Sequence, residues 1–341
     1  MFLNNTLVKK ILKENYDLGE ILKISPLESG HESDNAKVKT TRGEFVVKYF
    51  AQPAEHMRRN AILQHLLSTN GVKLPFPIKT LKDDFVVEYS SSETIIVQSF
   101  IAGEAVADRF KTPEKMYSLM SWFGQQIGKF HCISKSITET DIREYIDNDD
   151  FFDISKGFDW IHEQYNNAET LLPPHEKNEK ILKEYSIFRK EIEGIFGSNI
   201  AKGIIQNDLK PGDFFVVDKE LTGILDFNGA AYSYLMDELG TWVMYTSLHK
   251  PENKKYFQDF ISSYLEYSKI SIQELKLIPL FLKARAFVQY FYFAYRIHNK
   301  ITQGLDEGET NYDGFEDGIR IVENSIKIKS EYFYDLALSI Q

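Results

Sequence analysis

Residues Gly203 to Gly240 read GIIQNDLKPGDFFVVDKELTGILDFNGAAYSYLMDELG, and this stretch decides the architecture. Asp208 follows the run Ile204-Ile205, Asp213 lies five residues further on, and Asp226 ends a second apolar run. Between the last two lies a hairpin pattern: Phe214 to Val217, a polar turn at Asp218-Lys219-Glu220, then Leu221 to Leu225. Such a hairpin predicts that Asp208, Asp213 and Asp226 meet at one end of the strand pair. Converging carboxylates suit Mg²⁺, a hard cation that takes oxygen ligands and shares them with substrate phosphates. One of the three can stay off the metal and accept a proton from a hydroxyl. Together they are the equipment of phosphoryl transfer.

The spacing resembles the aminoglycoside phosphotransferase, choline kinase and homoserine kinase-like superfamily. Its catalytic loop reads H-[GN]-D-x-x-x-x-N, followed by a strand pair and a metal-binding I-D-F/W/Y. Here the loop is Gln206-Asn207-Asp208-Leu209-Lys210-Pro211-Gly212-Asp213, followed by Ile224-Leu225-Asp226-Phe227. Tyr234 to Leu239 resembles the Y-D-L-A element further on. The resemblance implies an α+β, bilobal protein-kinase-like fold, with a small antiparallel-sheet N-lobe and a larger, mostly helical C-lobe. It implies ATP and Mg²⁺ as cofactors, Asp208 as catalytic base, and Asp213 and Asp226 as metal ligands. Two positions depart from the family. Gln206 stands where His is usual, and Asp213 stands where the metal-ligating Asn is usual. A carboxylate binds Mg²⁺ at least as well as an amide, but it changes the charge of the site. Lys210 either steadies the γ-phosphate or points to solvent.

Composition bounds the function classes. The 341 residues suit two lobes or two domains, and 43% hydrophobic with 14% aromatic content supports a packed core. A formal net charge of −10 disfavours an extended nucleic-acid-binding face. The one cysteine, Cys132, excludes an internal disulfide framework and a four-cysteine metal site. The N-terminal segment lacks a signal-peptide core, and the densest apolar stretch, Leu275 to Ile297, is interrupted by Lys283, Arg285 and Arg296. A cytoplasmic protein, monomer or homodimer, with no membrane or nucleic-acid partner is the expectation.

Hydrophobic periodicity predicts a short helix at Leu7–Glu14, strands through Phe50, a helix at Pro53–Ser68 and further strands to Phe100. From Thr112, with Pro113 at a helix start, the chain turns helical. Helices are predicted at 157–171, 176–196, 237–248, 254–268, 272–299 and 312–331. A lobe at 1–98 and a lobe at 99–341, with a hinge about 98–103, follow from this change of character.

The strand-rich third must then hold the nucleotide. Gly30 and Ser33 lie in a loop between predicted strands, where backbone N–H groups can face phosphates. The family's G-x-x-N…V-L-K arrangement resembles Gly30, Asn35 and Lys48, the last closing the run Phe45-Val46-Val47. The helix glutamate that usually pairs with such a lysine is not evident; Arg59 and Asn60 occupy its place, and Glu55 is the candidate partner. Gln98 to Gly103 resembles the adenine-reading hinge, with Gln98 and Phe100 as cofactor-binding residues.

Other groups read as structural. Asp237 is expected to cap a helix with Glu238 in its first turn, and His131 to be a satisfied core histidine. Cys132 and the aromatic run Phe287 to Tyr295 read as core, and the acidic segment Asp147 to Asp153 as a solvated loop. The function expected is γ-phosphate transfer from ATP to a hydroxyl of a small acceptor, amine-bearing among the candidates: aminoglycoside, homoserine-like or choline-like. The alternative is a catalytically weak or inactive kinase-fold protein that binds a nucleotide, ligand or protein partner.

Overall fold

The computed structural model describes residues 3–27, 33–109, 115, 117–247, 254–302, 304–305 and 308–340. The first third runs α1 (Asn5–Asn15), β1 (Ile21–Pro26), β2 (Ser33–Thr40), β3 (Gly43–Phe50), α2 (Ala54–Thr69), β4 (Val86–Ser90), β5 (Glu93–Ser99) and β6 (Glu104–Ala105). Then come α3 (Met120–Ser136), α4 (Asn178–Glu193), β7 (Lys202–Ile205), β8 (Phe214–Val217), β9 (Glu220–Ile224) and β10 (Ala231–Tyr234). Helices α5 (Leu235–Ser247), α6 (Lys254–Ser268), α7 (Ile278–His298), α8 (Asn311–Ser325) and α9 (Tyr332–Leu338) close the chain. The architecture is α+β.

Packing divides the chain into two compact units. One comprises Met1–Val106, Glu144–Ile146 and Gly212–Ala230; the other comprises Ala107–Arg143, Asp147–Pro211 and Ala231–Gln341.

The first unit is built on an antiparallel five-stranded sheet of order β1-β2-β3-β5-β4. Thr41-Arg42 joins β2 to β3, whose register runs from Thr40↔Gly43 to Ser33↔Phe50 and sets Asn35 opposite Lys48. Alternate residues Ala36, Val38, Phe45 and Val47 are buried with Ile95 and Val97, and α1 covers them with Val8, Ile11 and Leu12. Each such valine, leucine, isoleucine or phenylalanine side chain, fully buried, contributes roughly 1.5–3 kcal/mol of transfer free energy. The hairpin β8–β9 joins the same unit and pairs with β6. Its two-residue turn at Asp218-Lys219 has positive φ at both residues (49° and 73°), the primed-turn geometry that matches strand twist.

The second unit is mostly helical. Its core includes Phe123, Trp242, Phe260 and Tyr264, with Tyr185 edge-on to Phe287 and Phe291. The aromatic run on α7 is therefore mainly core, although Tyr292 and Tyr295 face outward. Helices α5 and α7 cross closely at Gly240, where an added Cβ would lie 2.6 Å from the Phe281 carbonyl carbon and 2.7 Å from the Leu282 nitrogen. Backbone cannot yield there as a flexible side chain would. Gly240→Val is expected to lower stability by about 1–3 kcal/mol or more through overpacking. A urea midpoint equal to that of the wild type would contradict this close approach.

Several element boundaries differ from expectation for local reasons. The helix predicted at 157–171 is a 3₁₀ turn at Ile154–Phe158 and short helices Asp159–Asn166 and Ala168–Leu171, interrupted at Asn167 (φ −96°, ψ 9°). The helix predicted at 272–299 splits into a 3₁₀ turn at Ile272–Leu277 and α7, which starts with Pro279 in its first turn. Proline's missing N–H costs nothing at that position. The helix predicted at 312–331 ends at Ser325, and α9 was not anticipated. The predicted helix start at Thr112–Pro113 lies outside the described residues. No described helix is long and apolar enough to cross a membrane.

Candidate active site

In the helical unit, Asp208 sits on the loop after β7. Asn207 reaches φ 74°, a left-handed conformation that asparagine tolerates better than most residues. Glu238, on the first turn of α5, is fully buried and takes the loop's backbone N–H groups: Gln206 N at 2.6 Å and Asn207 N at 3.0 Å. Gln206, also fully buried, accepts the Asp208 N–H on its side-chain oxygen at 2.7 Å. Gln206 thus has a scaffolding task, in the place where His was expected. The expectation for Asp237 shifts by one residue. Asp237 accepts from Ser233 Oγ at 3.2 Å inside the first turn, while Glu238 carries the loop.

The Asp208 carboxylate is itself surrounded by donors. Tyr245 OH donates to Oδ1 at 2.8 Å, Arg285 Nη2 donates to the same oxygen, and Lys210 Nζ donates to Oδ2 at 3.0 Å. Burial works against the charge, but Arg285, Lys210 and Tyr245 more than offset it and hold the carboxyl below its usual range. The neighbouring carboxyls behave oppositely. Burial pushes Asp237 up to about 6, with Arg285 opposing, and pushes Glu238 up to about 8 against its two N–H bonds.

Glu238 binds its proton more tightly folded than unfolded, so the stability it lends is full below about 4.5. That contribution is lost as pH rises through about 8. Denaturant unfolding of the wild type between pH 6 and 9 is expected to show this decline, and Glu238→Gln to flatten it. An identical slope in the variant would contradict the assignment.

In the sheet unit, β8–β9 pairs Phe214 with Ile224, and Leu225 N donates to the Asp213 carbonyl at 2.8 Å. Asp213 and Asp226 therefore share one end of the hairpin. Asp213 is buried, and Asp226 is left-handed at φ 64°. Asp226 Oδ1 accepts from Asn228 Nδ2 at 2.8 Å, and Asn228 Oδ1 accepts from Lys48 Nζ at 3.3 Å. Asn60 of α2 donates to the Asn228 carbonyl. An amide thus links the strand lysine to the hairpin carboxylate. Glu55 does not serve Lys48: it pairs with Arg59 one helical turn on, and its side chain is 73% exposed.

Ser33 Oγ donates to Asn35 Oδ1 at 3.1 Å, and Asn35 lies opposite Lys48, so three nucleotide-side candidates share one strand pair. Gly30 lies outside the described residues. Gln98 is buried in β5, and the Phe100 N–H donates to the Glu44 carbonyl. The Phe100 ring carries Lys37 Nζ 3.4 Å from its centroid. Among the described residues no cluster of three or more His, Cys, Asp or Glu side chains forms a closed metal site. Two carboxylates with substrate phosphates fit Mg²⁺, which retains water and seldom uses an all-protein cage.

The remaining residues behave structurally. His131 is fully buried and bonded through Nδ1 to Tyr264 OH at 2.8 Å, but its Nε2 is buried without a hydrogen-bond partner, so it is not the fully satisfied histidine expected; burial pushes it down to about 3. Cys132 is only partly buried, a correction to its reading as core. Asn148 and Asp153 cap their own short turns, and Asp149 is 93% exposed against Arg143.

The model of the family described as "Phosphotransferase enzyme family" matches residues 23–272. A homoserine kinase of Allorhizobium ampelinum is 21% identical over 276 residues, covering 80% of each chain. The amicoumacin kinase hAmiN, solved with AMP-PNP, Ca²⁺ and Ami, superposes with a TM-score of 0.69 at 16% identity over 96% of this chain and 95% of its own. A spectinomycin phosphotransferase solved with ADP and spectinomycin gives 0.62 at 13% identity over 96% and 100%. With its kinase-like α+β fold and a match over most of its length, the chain belongs to the phosphotransferase enzyme family, a family of small-molecule kinases.

Proposed function

We propose that this chain is an ATP-dependent kinase that transfers the γ-phosphate to a hydroxyl of a small molecule. The observation that carries the reading is Asp208: a carboxylate kept ionised, half-exposed, on a loop locked from below by Gln206 and Glu238. A low-pKa base suits a loose phosphoryl-transfer transition state, in which the acceptor proton leaves late. Asp208 orients the acceptor hydroxyl and takes that proton.

Lys48 and Asn35 bind the nucleotide phosphates, with Gly30 and Ser33 on the adjoining loop. Gln98 and Phe100 line the adenine side, about the 98–103 hinge between a nucleotide lobe and an acceptor lobe. With the Phe100 N–H given to Glu44, adenine there meets carbonyls and ring faces. Asp213 and Asp226 would hold Mg²⁺, which when bound neutralises phosphate charge. The work is placed in the cytoplasm, by a monomer or homodimer.

Gln206, Asp213 and the already occupied Asp208 oxygens favour a second reading, a weak or inactive kinase-fold binder. The test is Mg²⁺-ATP turnover, read as ADP release, with aminoglycosides, homoserine, choline, ethanolamine, thiamine and methylthioribose. Acceptor-dependent release that vanishes in Asp208→Ala supports the kinase. ATP binding without release from any acceptor supports the binder, and no ATP binding sinks the kinase reading.

A further inference from the structure

Gln98 stands at the end of β5 as a buried amide with nothing to hold. It is 8% exposed, and among the described residues its side chain makes no hydrogen bond. Buried donors and acceptors rarely go unmatched. Strand register gives the direction in which this side chain points. Phe45, Val47, Ile95 and Val97 belong to the core beneath α1, so Val46, Lys48, Ile96 and Gln98 alternate onto the opposite face. Gln98 is the cross-strand partner of Val46, Lys48 lies two residues further along β3, and Asn35 lies opposite Lys48. The amide therefore shares one face of one sheet with the phosphate-side candidates, all within the sheet unit.

The backbone donors of the next two residues are already committed. Ser99 N–H donates to the Phe76 carbonyl and Phe100 N–H to the Glu44 carbonyl, each at 3.0 Å. A carbonyl in this segment can meet only a donor, such as the 6-amino group of adenine. Set against the 6-oxo group of guanine, it would place two acceptors face to face. A glutamine amide has no such restriction. A half-turn about its last torsion exchanges the carbonyl oxygen for the NH₂ group. With the oxygen forward it accepts from a 6-amino group, and with the nitrogen forward it donates to a 6-oxo group.

Resting on the kinase reading, we propose that the Gln98 side chain reads the 6-position of the purine in either sense, so that the chain takes GTP as well as ATP as phosphate donor. An apolar side chain or a fixed acceptor at this place would separate the two nucleotides, because one of them would leave a buried polar group unpaired. An amide that turns gives each its partner.

The test titrates AMP-PNP, GMP-PNP and the inosine analogue IMP-PNP into the full chain with Mg²⁺, by calorimetry, for the wild type and Gln98→Met. The inosine analogue keeps the 6-oxo group and lacks guanine's 2-amino group, so it isolates the 6-position. In the wild type, Kd for GMP-PNP and IMP-PNP is expected within about tenfold of that for AMP-PNP. Gln98→Met, apolar and close in length, is expected to weaken GMP-PNP and IMP-PNP by about 10–100-fold, because the 6-oxo group loses its donor. AMP-PNP should weaken by no more than about threefold, since carbonyls remain for its 6-amino group. The wild-type comparison stands even where the variant fails to fold. GMP-PNP and IMP-PNP both more than about 100-fold weaker than AMP-PNP in the wild type overturn the inference. IMP-PNP bound with GMP-PNP refused overturns the use of GTP. Unchanged ratios in Gln98→Met overturn the role of the amide. An equal loss of all three nucleotides with a lowered unfolding midpoint assigns Gln98 to the sheet alone, and also overturns it. Absence of binding by every nucleotide is a different failure, that of the kinase reading itself.

Discussion

Asp208→Asn will suppress phosphoryl transfer by about 10²–10⁴-fold, the range that a positioned general base contributes. Asparagine keeps the size and an acceptor oxygen for Tyr245 or Lys210, but it cannot take up the acceptor's proton. With Lys48, Asn35, Asp213 and Asp226 holding the nucleotide and its metal as proposed, and Asp208 acting on the acceptor, Mg²⁺-ATP affinity should stay within about threefold of the wild type, under 1 kcal/mol. Losing the charge also leaves Arg285 facing a neutral amide, and unfolding midpoints should fall modestly. The measurement is kcat at saturating ATP together with ATP calorimetry. Equal loss of ATP affinity and turnover would show that Asp208 holds nucleotide and is not the base.

Asp226→Asn is the second large effect. Its backbone is left-handed, and asparagine is among the few residues that hold φ 64° with little strain, so the turn before Asn228 should survive. What changes is charge at the hairpin end shared with Asp213. Transfer is expected to fall by about 10²–10³-fold, as when a preorganised electrostatic group is removed. The Mg²⁺ concentration giving half-maximal rate should rise in parallel. A lowered rate with an unchanged Mg²⁺ requirement would assign Asp226 to the Asn228–Lys48 network alone.

The parts of this site that sequence made legible are those carried by one short segment. The hairpin, its polar turn and the spacing of Asp208, Asp213 and Asp226 depend on neighbours within about twenty residues, where periodicity and turn chemistry are strong signals. The place of Lys48 on β3, opposite Asn35, was legible through the strand pattern that precedes it. Tyr245 and Arg285 were not. They lie 37 and 77 residues from Asp208, and only the packing of α5 on α7 brings them to it. Gly240, a single small residue on the face of α5, was the one local sign of that approach.

The polar partners show the same limit. Glu55 was the natural sequence candidate for Lys48, since it precedes the expected place on α2 by one turn. A helix pairs i with i+4, however, and Arg59 takes it. The reach of Asn228 to both Lys48 and Asp226 depends on the backbone after a left-handed residue. Glu238 was placed on the right helix turn, but its burial, and hence its hold on the loop, is a property of the packed helices. Helix ends failed where 3₁₀ turns replaced α-helix, at Ile154 and Ile272, because hydrophobic spacing does not separate the two over a few residues.

The most direct test of the central claim follows the phosphorus atom. Wild type and Asp208→Asn are incubated with Mg²⁺ and γ-labelled ATP over the acceptor panel, and the products are separated by charge. The expected result is a labelled phosphate monoester of an acceptor from the wild type, and none above background from the variant. Label recovered only as inorganic phosphate, or equally in both proteins, would contradict transfer to a hydroxyl through Asp208.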